Sequence, residues 1–276
     1  MIKLLAFDLD GTTITEHRYL SPENRRALLE AAERGVELVP CTGRMLSFLP
    51  PEIRELPGVR YVITSNGAAA VDLNTGKTVI QNLIPNEKAL QVQEILDGYD
   101  IYIEYYRDGS AITKRGYPER AQRDFSLPDS RMHFVWGKSY TFIEDFAAHL
   151  RETKLCPEKI NMPFLTADIR QELWQKLEGL GGLRLTSSLP NNLEINDAMA
   201  HKGAALLALA EQLGISKEET MAVGDNGNDV TMLEAAGCSV AVADGAPEAL
   251  AAAKYITAAH DQDGVAKAID AYILQK

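Results

Sequence analysis

Ile2-Lys3-Leu4-Leu5-Ala6-Phe7-Asp8-Leu9-Asp10-Gly11-Thr12 is the stretch on which the fold turns. A mostly apolar run over residues 2–7 stops abruptly at two acids and a glycine. Such a run reads as a strand buried on both faces, as in parallel sheets covered by helices on either side. Ser21-Pro22 then opens an amphipathic helix to about Arg34, with serine as cap, proline in the first turn and Gly35 as the stop. Val36–Cys41 is a second strand closed by Thr42-Gly43-Arg44, and Tyr61–Thr64 a third closed by Ser65-Asn66-Gly67.

The pattern returns late in the chain. An Ala/Leu-rich helix over 202–213 precedes the strand Met221–Val223, which runs into Gly224-Asp225-Asn226-Gly227-Asn228-Asp229. Short apolar runs follow at Ser239–Ala243 and Tyr255–Thr257. Strand, polar loop and helix in repetition predict an α/β fold with a doubly wound, Rossmann-like parallel sheet. Ligands of such sheets bind beyond the carboxyl ends of the strands, where all these acidic loops fall.

Between Thr42 and Lys202 lies far more chain than the roughly 30 residues of one βαβ unit. The segment mixes a hairpin signal at Arg107-Asp108-Gly109-Ser110 with helices near 86–97, 139–152 and 168–178 and a strand at Lys159–Phe164. This predicts an α+β domain, residues 83–188, inserted into an α/β core of residues 1–82 and 189–276.

Bulk properties narrow the function. The net charge of −11 disfavours a nucleic-acid partner, which needs clustered Lys and Arg. No apolar stretch is long enough to span a membrane, the start of the chain reads as a strand rather than a leader, and the three cysteines lack disulfide or metal spacing. These features point to the cytoplasm. They leave the oligomeric state open.

The acids suggest phosphoryl chemistry. Asp8 and Asp10 stand two apart at a strand end, so one carboxylate can attack while the other serves as acid and then base. Asp225 and Asp229 supply the oxygens that Mg²⁺ requires. Four ionised carboxylates at Asp8, Asp10, Asp225 and Asp229 repel strongly. Protonating Asp10, adding Mg²⁺ and counting Lys202 brings the cluster to neutrality. The same crowding would raise the pKa of the carboxyl that is off the metal, which suits Asp10 as the acid.

Asp8-Leu9-Asp10-Gly11-Thr12, Thr42-Gly43-Arg44, Lys202-Gly203 and Gly224–Asp229 together resemble the four motifs of the haloacid dehalogenase-like hydrolases. The insertion resembles the C2B cap of their Cof-type members. The resemblance implies that Asp8 is the nucleophile, forming an aspartyl-phosphate, and Asp10 the general acid/base. Mg²⁺ would be held by Asp8, the Asp10 carbonyl and Asp225, with Asp229 orienting a water ligand. Leu9, Thr42, Gly43, Lys202 and Asn228 would bind the substrate phosphate.

The expected activity is a Mg²⁺-dependent phosphatase for small phosphorylated metabolites, sugar phosphates foremost. A phosphomutase using the same aspartyl-phosphate and a non-enzymatic phospho-accepting signalling module are the alternatives. Two local features depart from the family's pattern: Cys41 stands where a small residue is usual, and Pro50-Pro51 interrupts the following helix. Some bland readings compete. His201 adjoins Lys202 but points elsewhere on a helix, and the tyrosines between 102 and 117 fit packing as well as substrate contact.

Overall fold

A computed structural model describes residues 1–125, 132, 135, 139–188 and 191–276. The chain divides into two units, one of Met1–Gly43, Leu49–Gln81 and His201–Lys276, the other of Arg44–Phe48 and Asn82–Ala200.

At the centre of the first unit runs Leu4–Phe7, every residue of it buried. Its neighbours are Thr220–Gly224 and Glu37–Pro40, both parallel to it, with Phe7 opposite Val223 and Pro40. Cys238–Ala241 and Tyr255–Ile256 extend the sheet on the Thr220–Gly224 side, giving five strands. Leu4 and Ala6 join a core cluster with Leu206, Leu209, Met232 and Leu233 from the helices behind them. Side chains alternate along a strand, so Leu5 and Phe7, both fully buried, point to the other face. The run is covered on both sides, as its composition requires.

Tyr61–Thr64 departs from the doubly wound pattern. It reaches the central sheet through two parallel bridges, Leu38 to Val59 and Cys41 to Ile63. It then pairs antiparallel with Ala69–Asp72, which pairs in turn with Lys77–Gln81. The helix Pro22–Glu33 follows its sequence signals: Ser21 accepts the Asn24 amide at 3.1 Å, and Gly35 turns the chain at φ +81°.

The second unit is built on a six-stranded sheet in the order 140–143, 110–114, 104–107, 159–162, 193–197, 183–186. Helices Asn86–Leu96, Tyr117–Asp124, Phe146–Thr153 and Ala167–Glu178 supply residues to its core. Tyr102, Tyr105 and Tyr117 lie in that core, with the Tyr105 and Phe146 rings 4.9 Å apart, so packing accounts for them. The helix expected over 139–152 is in fact a strand, Tyr140–Ile143, followed by a helix that begins at Phe146. Aromatic and β-branched residues favour the strand. Asp145 caps the helix by accepting the Ala148 amide at 2.6 Å.

The return to the α/β unit was expected at 189. Residues 189 and 190 lie outside the described residues. Leu193–Asp197 pairs antiparallel with both Lys159–Met162 and Leu183–Thr186, so residues 191–200 stay with the second unit. Among the described residues no helix is long and apolar enough to cross a membrane.

Candidate active site

The loop after Leu4–Phe7 folds back on its own strand. The Leu9 carbonyl accepts the amides of Thr12, Thr13 and Ile14, and the Thr13 hydroxyl donates to the Asp8 carbonyl at 2.5 Å. Asp8 is thereby fixed at the strand end, 5% exposed. The Leu9 side chain is fully buried, so only its backbone is offered to a ligand.

Lys202 approaches Asp8 from the start of the helix Lys202–Gln212. The preceding residue, His201, caps that helix through Nδ1, which accepts the Ala204 amide at 3.1 Å. Gly203 lets the helix sit against the next one, because a Cβ there would lie 2.1 Å from the Thr231 carbonyl oxygen. Lys202 is fully buried, and its Nζ donates to Asp8 Oδ1 at 2.5 Å and to Asp229 Oδ1 at 2.6 Å. Its position between the other motifs singled it out in the sequence; its burial and its two carboxylate partners come from the fold.

Asp229 uses both carboxylate oxygens. Oδ1 takes Lys202, and Oδ2 accepts the amides of Asp225 and Asn226 at 3.0 and 3.1 Å. Asp229 therefore shapes the loop that presents Asp225. Thr12 steadies Asp225 from the opposite loop, its hydroxyl 2.5 Å from Oδ1. Gly11, at φ +81°, leaves room for the other oxygen, since a Cβ would lie 2.8 Å from Asp225 Oδ2. Asp8, Asp225 and Asp229 each bring a carboxylate oxygen within 4.8 Å of the others.

The remaining residues singled out in the sequence take distinct places. Thr42 is buried at the end of its strand; its amide bonds to Ile63 and its carbonyl accepts the Asn66 amide. Gly43 follows it, partly exposed. Asn228 reaches Asn66, with Nδ2 3.3 Å from Oδ1. The Asp10 carboxylate turns to His17, whose Nδ1 lies 2.8 Å from Oδ1. Asn66, Thr12 and His17 are additions to the site. Ser65-Asn66-Gly67 was legible only as a strand closer, and no motif marks His17.

Burial sets the electrostatics. It pushes the Asp8 carboxyl well above the usual carboxylate range; Lys202 pulls it down, while Asp229, Asp225 and Asp10 push it up. Burial, then Asp229, pushes Asp225 up to about 7. Burial opposes the Lys202 charge, but Asp229 and Asp8 outweigh it and hold the ammonium above its ordinary range. Burial also raises the Cys41 thiol, an inert neighbour of the cluster.

Three carboxylates face one ammonium in this cluster. Asp8 Oδ2 and Asp225 Oδ2 accept no hydrogen bond among the described residues. With all three carboxylates ionised the surplus is two negative charges, which with the two open carboxylate oxygens fits a hard divalent cation.

A family model described as haloacid dehalogenase-like hydrolase matches residues 5–269. The 5-amino-6-(5-phospho-D-ribitylamino)uracil phosphatase YcsE of Bacillus subtilis is 32% identical, over 99% of this chain and 96% of its own. The pyridoxal phosphate phosphatase YbhA of Escherichia coli is 29% identical over 99% of each chain. The solved structure of a haloacid dehalogenase-like hydrolase from B. subtilis superposes with a TM-score of 0.83, at 29% identity, covering 99% of this chain and all of the other.

Proposed function

The chain belongs to the haloacid dehalogenase-like hydrolases, and from that premise we propose that it is a Mg²⁺-dependent phosphatase in which Asp8 accepts the phosphoryl group. The observation that carries the reading is the buried contact of Lys202 with both Asp8 and Asp229, beside the open oxygen of Asp225. Lys202 neutralises one carboxylate and keeps Asp8 Oδ2 turned outward for attack.

Asp8, Asp225 and the Asp10 carbonyl would hold Mg²⁺, with Asp229 behind them fixing the loop. Bound there, the cation neutralises charge on the phosphoryl oxygens and lowers the repulsion met by an attacking carboxylate. Thr42, the amides of Leu9 and Gly43, Lys202 and Asn228 grip the phosphoryl oxygens. An Asp8 oxygen bonds to phosphorus as the ester P–O bond breaks, and Asp10 gives its proton to the departing oxygen. Asp10, now a carboxylate, takes a proton from water, whose oxygen displaces Asp8 and releases inorganic phosphate.

Small phosphorylated metabolites are the substrates this reading favours, sugar phosphates foremost; relatives named for a ribityl phosphate and for pyridoxal phosphate support that range. The inserted unit selects among leaving groups. The reaction would take place in the cytoplasm. The test is phosphate release from a panel of metabolite esters and 4-nitrophenyl phosphate, with Mg²⁺, with chelator, and with Asp8→Asn. Turnover that needs the metal and disappears in the variant is expected. A folded, Mg²⁺-binding protein that releases phosphate from no ester would overturn the proposal.

A further inference from the structure

Just past the Asp8–Thr12 loop the chain makes a tight hairpin. Ile14–Thr15 pairs antiparallel with Tyr19–Leu20, and the Arg18 amide closes the turn on the Thr15 carbonyl at 3.1 Å. The tip residues, Glu16 and His17, have φ of +48° and +61°. The three-residue connection of residues 16–18 opens with two left-handed residues, a conformation that favours Asn and Gly because a larger side chain crowds the backbone there. Neither residue is of that kind. Strain of this sort persists where the surroundings make use of the side chain it displays. Here the side chain is an imidazole whose Nδ1 lies 2.8 Å from Asp10 Oδ1.

We propose that His17 is a positioning residue for leaving-group protonation, acting through Asp10. The inference rests on Asp10 being the general acid. When Nδ1–H donates to Oδ1, a protonated Asp10 must carry its proton on Oδ2, so the ring dictates which oxygen gives the proton away. As the P–O ester bond breaks, its electron pair goes to the ester oxygen, which takes the Oδ2 proton. The Asp10 carboxylate left behind keeps the same hydrogen bond to Nδ1–H. The imidazole gains and loses nothing in the step. It holds one carboxyl orientation throughout.

The test compares kcat/KM, which reports the first phosphoryl transfer, for two esters. An alkyl phosphate from the panel needs its leaving oxygen protonated, whereas 4-nitrophenolate leaves without a proton. His17→Gly removes the ring at a position where Gly suits the turn. It should lower the alkyl value about tenfold, a fraction of what a general acid contributes, and change the aryl value by less than about twofold. Its Tm should be unchanged or higher, whereas a purely structural histidine would lower it. His17→Asn tolerates the turn and places Nδ2 where Nδ1 was, so it should restore most of the alkyl rate. Equal losses for both esters, or none, would overturn the role of His17. Asp10→Asn separates the two claims: it should depress the alkyl ester far more than the aryl one. If it does not, the assignment of Asp10 fails first, and that of His17 with it.

Discussion

Each unit of the molecule buries a lysine against a carboxylate, and the two are wired differently. Lys159, 2% exposed, pairs with Glu194 at 3.1 Å and lies over the Tyr106 ring, 4.6 Å from its centroid. Hydroxyls of Thr186 and Ser188 also donate to Glu194. Lys202, 0% exposed, touches two carboxylates with a third alongside. Burial is thus no guide to purpose. The first contact joins neighbouring strands of one sheet, while the second gathers three carboxylates around one ammonium.

The largest expected effect breaks each pair in turn. Removing one partner of a buried ion pair strands the other charge, at about 3–5 kcal/mol. Lys159→Met and Lys202→Met should both lose stability on that scale in denaturant titrations. Adding Glu194→Gln to Lys159→Met should recover much of the loss, because Glu194 is then no longer a buried charge deprived of its lysine. Adding Asp229→Asn to Lys202→Met should recover less, because Asp8 and Asp225 stay behind. Equal recovery in the two double variants would erase the contrast.

Acidity sharpens the contrast next. Asp225 rises from 3.8 to about 7 on burial and next to Asp229. Below pH 4 folded and unfolded chains both carry that proton. As pH rises toward 7 the unfolded chain releases it first, so this contribution to metal-free stability is full at low pH and is lost through pH 7. Mg²⁺ competes with the same proton. The gain in Tm from Mg²⁺ should therefore be greater at pH 8 than at pH 5. A gain independent of pH would mean that the cation does not bind at Asp225.

A smaller effect marks the inserted unit alone. Asp145→Ala removes the cap of the Phe146–Thr153 helix and should cost about 1 kcal/mol in urea unfolding. Mg²⁺ affinity, read by calorimetry on the same variant, should not move.

The strand-end acids were readable because a buried parallel strand must end where polar residues begin, which makes Asp8 and Asp225 conspicuous. Lys202 was marked by its place between the motifs, but its burial needed the fold, since nothing local in its sequence separates a buried lysine from a solvated one. The strand at Tyr140–Ile143 was hidden by a plausible helix, and the late return near residue 200 by a strand that belongs to the inserted sheet. The hairpin at Glu16-His17 was invisible for a physical reason. Its sequence lacks the Asn or Gly that ordinarily announces such a turn.

The order of strands also bears on how the protein is made. Leu4–Phe7 is synthesised before its partner Thr220–Gly224, which follows roughly 200 residues later. At roughly 5–20 residues per second that is a delay of about 10–40 s. Through that interval a fully apolar strand has no parallel neighbour on that side, while all the residues of the inserted unit emerge before the partner does. The strand that leads into Asp8 thus waits, apolar and uncovered on one edge, until its partner is made; a chaperone that shields apolar segments would act there.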